Sequence, residues 1–441
     1  MNKLYKLLIV VLLAEGTLLS QQKTQSDTIM HRGTLKECIE YAFIHQPFIQ
    51  QSLLDEEIIS HEVNSRLADW FPQLNFNINL IHNYKLPTSI VGGTPVTSGL
   101  HNTSSAQFSL TQTIFDRDVF LAASTSKDVS RLMKQKTTFS KIDVVTYVSK
   151  AFYSVLFTQE QVALLDEDIV RLQQSEKDTY NQYKGGIVDK TDWERATIAL
   201  NNAMAEKKQY EELLKSRYAF LKEQMGYPSE SYLTLEFDTT KMQSEAFIDT
   251  TLKLNYDNRI EYQLLQTQIQ LQQANLSYYD LSFVPSISAF GNYTYFYQND
   301  RLSQLYNLNY PYSNIGLQLS LPIFQGGKRI QEIEQASLEL KRYKYDIISL
   351  KDSINTEYIT VVGEYKSNLN NYNILKENLE LAMDVYNKIQ LQYKSGIKTY
   401  LEVITAETDL RTTQANYNNA LFQVLSSKLD VQRALGIINI E

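Results

Sequence analysis

QYKSGIKTYLEVITAETDL, residues 392–410, has a near copy in QYKGGIVDKTDWERATIAL, residues 182–200. Tyr183 and Tyr393, Gly186 and Gly396, Ala196 and Ala406, and Gly226 and Gly436 all stand 210 residues apart. The copies run without a gap over more than forty positions, and a fixed internal spacing marks a repeated structural unit. Each copy closes a long stretch nearly free of helix breakers. Residues 116–183, 68 positions, hold neither proline nor glycine, and the 68 positions of 328–395 hold one glycine, Gly363. At 1.5 Å per residue each stretch predicts a rod of about 100 Å.

The apolar spacing supports rods that pack on one another. Ile333, Ala336, Leu340, Ile347, Leu350, Ile354 and Val361 step by threes, fours and sevens, as do Leu410, Tyr417, Leu421, Val424, Val431 and Leu435. These are coiled-coil spacings, and Gln, Asn, Glu and Lys fill the positions between them. Each rod stops at a glycine, Gly186 or Gly396, which supplies the left-handed conformation past a helix end. A return helix of about 36–40 residues follows on the same periodicity. The repeated stretches are therefore the turns of two antiparallel helical hairpins.

Ahead of each rod the period changes to two. After Pro72, Leu74, Phe76, Ile78 and Leu80 alternate with Asn75, Asn77 and Asn79. Ala106, Phe108, Leu110 and Ile114 alternate with Gln107, Ser109, Thr111 and Thr113. The second repeat has PSISAFGNYTYFY after Val284, and then Ile315, Leu317, Leu319, Leu321 and Ile323 against Asn314, Gln318 and Ser320. Pro72 and Pro285 stand at strand starts, where a missing N–H costs little. A half-buried soluble sheet alternates too. Four strands of similar length, duplicated and tyrosine-rich at their ends, instead fit a membrane barrel. Its aromatic girdles would use Tyr84, Tyr293, Tyr295, Tyr297, Tyr310 and Tyr312.

Four strands cannot close a barrel, and an open edge does not survive in lipid. The chain must pool strands with its own copies in cyclic symmetry. Two copies would give eight strands around a filled interior, and three would give twelve around a wider one. The inward Asn, Ser and Gln favour the wider, water-filled option.

Composition agrees. The start, MNKLYKLLIVVLLAEGTLLSQQ, has the basic, apolar and small-residue layout of a secretory signal over residues 1–20. The single cysteine, Cys38, permits no intrachain disulfide and reads as a small apolar residue on a helix face. A net charge of −8 without a basic cluster argues against nucleic acid as a partner. Catalysis finds no candidates. His31, His45, His61, His82 and His101 never fall three or four apart, and His61-Glu62 lacks the second histidine of a zinc-protease motif. Gly185-Gly186 and Gly326-Gly327 lack the spaced glycines of phosphate loops. No cofactor or metal is expected.

The pattern resembles the TolC family of outer-membrane efflux channels over nearly the whole mature chain. TLKECIEYAFIHQPFI with its Gln46-Pro47 break is similar to the family's opening helix. SLTQTIFD and SLPIFQGG resemble its strand-to-rod junctions. YKGGIVDKTDWERA and YKSGIKTYLEVITAE resemble its outer and inner tip turns. The resemblance implies an α+β chain with repeat 1 over 21–228, an equatorial segment over 229–250 and repeat 2 over 251–441. Strands are expected near 73–85, 104–115, 286–298 and 313–324, and hairpin tips near 185–188 and 395–398.

It also implies a homotrimer with a twelve-stranded barrel in outer-membrane lipid of a Gram-negative cell and a helical tunnel in the periplasm. A periplasmic adaptor (membrane fusion protein) and an inner-membrane RND or ABC transporter would dock on the tip turns, here Tyr183, Gly185, Gly186, Ser395 and Gly396. By the same resemblance, Tyr393 and Lys398 would latch the closed state onto Asp192, with Thr191 beside it, and Glu402 would ring the aperture. A second acidic position in the family is Thr405 here, and Asp409, seven residues beyond Glu402, would replace it. The competing architecture is a periplasmic coiled-coil tether or adaptor without a pore. The cargo is not encoded in any motif.

Overall fold

Breakers and caps set the order of elements in the computed structural model, which describes residues 32–236, 242–244 and 246–440. The expected signal segment lies outside them. A short strand β1 (Arg32–Gly33) precedes α1 (Leu35–His45), which Thr34 and Glu37 close as a capping box. Gln46 and Pro47 break the helix and begin α2 (Pro47–Ala68). Then follow β2 (Gln73–His82), β3 (Thr88–Val91), β4 (Thr94–Thr97) and β5 (Asn102–Phe115). The first hairpin is α3 (Arg117–Lys184) and α4 (Lys190–Met225). After β6 (Thr234–Leu235), α5 (Ile260–Asp280), β7 (Ser286–Asn299) and β8 (Tyr312–Ser320), the second hairpin is α6 (Lys328–Lys394) and α7 (Tyr400–Leu435). Both rods begin and end within a residue or two of the breaker-free stretches.

The sheet has the antiparallel order β2-β5-β7-β8, so β2 and β8 are its free edges. Its register sorts the two faces. Phe76 pairs with Phe108 and Phe108 with Tyr293, while Asn75 pairs with Ser109, Ser109 with Asn292 and Asn292 with Asn314. The apolar face is bare, Leu74 being 68% exposed and Ile315 90%. On the polar face Asn292 Nδ2 donates to Asn314 Oδ1 at 2.9 Å. No helix among the described residues is long and apolar enough to cross a membrane. The large apolar surface lies on the strands instead.

Two sequence expectations are corrected. The fourth strand stops at Ser320 rather than 324, because Pro322 has no N–H for the ladder. Tyr312 pairs with Thr294 and so lies on the polar face, not in an apolar girdle. A further element that was not expected is the hairpin β3–β4 between β2 and β5, turned by Gly92 and Gly93 at positive φ.

In the helical layer α3 and α7 lie side by side, with α4 and α6 flanking them. The main core sits midway along the rods. There Cys38, Ile49, Val148, Leu221, Tyr365 and Val424 come together beneath Leu233, Leu235 and Ala246 of the inter-repeat segment. β1 and β6 pair in parallel at this level. The flanking helices bury little. α4 buries only Ala196, Ala203, Leu221 and Met225, and α6 only Ala336, Ile354, Tyr365, Tyr372 and Tyr386.

Candidate functional site: the seam between the hairpins

The two tip turns are built alike. Gly186 N–H donates to Tyr183 O (3.0 Å) and Ile187 N–H to Gln182 O (2.8 Å). In the second turn Gly396 N–H donates to Tyr393 O and Ile397 N–H to Gln392 O, both at 2.9 Å. Gly185 and Ser395 cap the outgoing helices, and Gly186 and Gly396 have φ of +71° and +74°. Nothing lies within 4 Å of a Cβ built on either positive-φ glycine, so conformation and not crowding asks for glycine here. Ile187 and Ile397 stand exposed at the two ends. Pro72 and Pro285 lie immediately before β2 and β7.

The repeat-related tyrosines do different things. Tyr183 stacks on Trp193 of its own return helix, ring centroids 6.1 Å apart and planes at 3°. Trp193 Nε1 donates to Glu176 Oε1 (2.5 Å), so the first tip is fastened to itself. Tyr393 instead crosses to the first hairpin, where its hydroxyl donates to Gln182 Oε1 (2.9 Å). Tyr400 crosses as well and shares a 2.8 Å hydrogen bond with Ser175. Burial pushes the Tyr393 phenol up, and the nearby Asp192 and Asp178 charges push it further, while its bond to Gln182 opposes them. Burial also raises Tyr400 against its hydroxyl partners.

The expected latch has a different arrangement in this protomer. Lys398 Nζ reaches Glu402 Oε1 (2.5 Å) rather than Asp192. The cause is local. Glu402 lies four residues on, in the first turn of α7, and Thr399 N–H and hydroxyl already hold its Oε2 at 2.9 and 3.0 Å. Lys398 and then Thr399 hold the Glu402 carboxyl down at about 2. The expected aperture carboxylate is thus also a helix cap with a lysine on it. Thr405 is exposed with its hydroxyl on Leu401 O (2.9 Å), and Asp409 and Thr191 are exposed.

Higher up, ion pairs that sequence reasoning did not find tie α3 to α7. Arg433 Nη2 is 2.6 Å from Asp143, and Lys150 Nζ 2.7 Å from Asp430. Between them and the tip lie Phe157 against Phe422 and, lower, Asp168, Arg171 and Glu407. The seam is therefore ionic near the middle of the molecule and held by hydroxyls near the tip. One pattern in the sequence pointed to part of it. Tyr358, Tyr365, Tyr372, Tyr386 and Tyr393 stand at multiples of seven along α6. Tyr365 donates to Ala246 O (2.9 Å), Tyr358 to Leu252 O (2.8 Å), and Tyr372 meets the Tyr417 hydroxyl (3.3 Å). Among the described residues no group of three or more His, Cys, Asp or Glu is placed to hold a metal ion.

Comparison with known proteins agrees with this architecture. The sequence profile of the family described as outer membrane efflux protein matches residues 39–227 and 257–437. The chain is 23% identical over 460 residues to the outer membrane protein TolC of Escherichia coli (strain K12), covering 100% of this chain and 87% of that one. The structure resembles that of the outer membrane protein VceC of Vibrio cholerae with a TM-score of 0.71 at 15% identity, over 91% of this chain and 96% of that one. It resembles the open-state MtrE outer membrane channel of Neisseria gonorrhoeae with a TM-score of 0.70 at 17% identity, over 91% and 88%. The chain belongs to the outer membrane efflux protein family. It is a Gram-negative outer-membrane protein with the efflux-channel fold, and its relatives are channels rather than enzymes.

Proposed function

We propose that three copies of this chain close a twelve-stranded barrel in the outer membrane and continue it as a helical tunnel about 100 Å long in the periplasm. The duct serves as the exit of a tripartite efflux or type I secretion system. One observation carries the reading: both layers of the protomer end in unsatisfied edges on the same two sides. β2 and β8 have free ladder groups, and α4 and α6 bury almost none of their length. A lipid-facing edge must be paired. Two copies would give eight strands and a plugged interior, whereas the row of Asn75, Ser109, Asn292 and Asn314 suits water.

In this reading the first hairpin is the wall and the second is the gate. The wall hairpin fastens its own tip, and the gate hairpin hangs from the wall through Tyr393 and Tyr400. An adaptor and an inner-membrane RND or ABC pump dock at Tyr183, Gly185, Gly186, Ser395 and Gly396 and draw the gate hairpin off the seam. Glu402, with Asp409 two turns further and Thr405 between, lines the aperture. Asp192 acts as the charge beside Tyr393. Neutral hydroxyl bonds such as those of Tyr393 and Tyr400 contribute only about 0.5–1.5 kcal/mol each, which keeps the gate releasable. The test is purification from outer membranes in mild detergent, followed by planar-bilayer recording. Heat-modifiable trimers that form pores are expected, and a stable monomer would overturn the proposal.

A further inference from the structure

The seam contains one cluster that neither the latch nor the aperture uses. Asp168 and Arg171 of α3 face Glu407 of α7, and Arg411 of α7 reaches Glu206 of α4 (3.9 Å). Asp168 is 2% exposed, and its Oδ1 is taken by Arg171 Nη2. Three polar atoms are left over. Asp168 Oδ2, Arg171 Nε and Glu407 Oε1 have no hydrogen-bond partner, although Arg171 Nε and Glu407 Oε1 stand 3.9 Å apart. A cavity of about 20 Å³ opens beside them, lined by Asp168, Glu407 and Arg411 and by the apolar Leu172 and Ala199. That is room for about one water. Two of the three are carboxylate oxygens, so Asp168 and an ionised Glu407 each keep one oxygen away from bulk water without a hydrogen bond.

We propose that Glu407 is a proton-binding positioning residue of the gate. With a solvent proton on Oε1, the carboxyl becomes a donor to Asp168 Oδ2, directly or through one water, and α7 seats fully on α3. With the proton returned to solvent, the two carboxylates face each other at this level and the gate hairpin leaves more readily. This inference rests on the channel reading for its gating consequence, though not for the seating itself.

The electrostatics agree in sign. Burial lifts the Glu407 carboxyl above the ordinary glutamate value of 4.5, against the pull of Arg171 and Arg411. The seated state therefore binds the proton more tightly than an open state in which Glu407 meets water. Seating is strongest below the ordinary value and fades as pH rises through the raised one. The charged and titratable groups around Glu407 are Asp168, Arg171 and Glu167 on α3, Glu206 on α4 through Arg411, Tyr386 on α6, and Arg411 and Tyr400 on α7. Burial raises both tyrosines, so they stay neutral. Glu402, held at about 2, stays ionised through mild acidification.

The experiment is single-channel recording of wild type, Glu407→Gln and Asp168→Asn at neutral and mildly acidic pH. Wild-type open probability should fall several-fold on acidification, and Glu407→Gln should stay at the low, acid-like value at both. Asp168→Asn should move the wild-type transition to lower pH. The proposal is overturned if Glu407→Gln opens more often than wild type at neutral pH, or keeps the wild-type pH dependence. Should the variants not assemble, hydrogen exchange on the wild-type trimer reads the same seating. Amides at 400–411, corrected for intrinsic rates, should be better protected in acid, and equal protection would overturn the proposal. Exchange requires no pore, so pH-dependent seating in a chain that passes no current would sink the channel reading alone.

Discussion

Hairpin one and hairpin two share length, turn geometry and a tyrosine at the same place in each turn, yet only one of them is complete by itself. Tyr183 lies flat on Trp193 of its own hairpin, whereas Tyr393 meets only the tilted ring of Tyr400, centroids 5.9 Å apart, since Val403 stands where Trp193 does. The second hairpin spends its tip hydroxyls on the first, through Gln182 and Ser175. A duplicated unit has thus diverged by a few side chains into a self-fastened arm and a borrowed one. If the second hairpin is the gate proposed above, a gate needs no special backbone. It needs a copy of the wall whose last contacts are made elsewhere, and weakly.

The comparison can be broken most severely where the two arms ought to be equal. Gly226 and Gly436 end the return helices at φ of +66° and +70°, and a Cβ there would sit 2.5 Å from His45 O and 2.4 Å from Asn258 O. Left-handed backbone alone costs a side chain about 1–2 kcal/mol, and the backbone clash adds to it. Gly226→Ala and Gly436→Ala should therefore both lower the melting temperature of the protein sharply. A marked difference between them would show that the arms do not share a mid-molecule anchor.

At the tips the arms ought to differ. Removing the Tyr393 hydroxyl deletes one hydrogen bond across the seam, about 1 kcal/mol or roughly a fivefold change in an equilibrium. Tyr393→Phe should raise open probability by about that factor, and Tyr183→Phe should leave it unchanged because the ring does the stacking. Equal effects in planar bilayers would erase the distinction between wall and gate.

The smallest effect concerns Lys398 and Glu402. Glu402→Ala leaves Lys398 uncompensated and should weaken block by divalent cations, whereas Lys398→Ala should strengthen it. Unchanged block in both removes the pair from the aperture. The pair is also resistant to acid. The Glu402 carboxyl is depressed to about 2, so its cap is complete above the ordinary value of 4.5 and fades only as pH falls through about 2.

What was legible follows from which interactions are local. The rods were readable because Arg117–Lys184 and Lys328–Lys394 contain almost no breakers and repeat their apolar residues at fixed steps. The strands were readable because Leu74, Phe76 and Ile78 alternate with asparagine. The β3–β4 hairpin had a signal in Gly92-Gly93 between two short β-branched runs, and Pro322 had already marked the end of β8. Lys398 meets Glu402 because a carboxylate four residues along the chain competes with one on another hairpin, and proximity along the chain won. Glu407 gave no warning, standing between Ala406 and Thr408 as an ordinary charge.

By itself, the sequence determined two hairpins and four alternating strands, because periodicity and breakers are properties of neighbouring residues. Only the tertiary structure decided which tyrosine crosses the seam, that Glu402 caps its own helix, and that Asp168 and Glu407 meet around a space the size of one water. Those outcomes depend on distances between helices far apart in sequence, and an ionisable side chain takes its character from whatever lies across that gap.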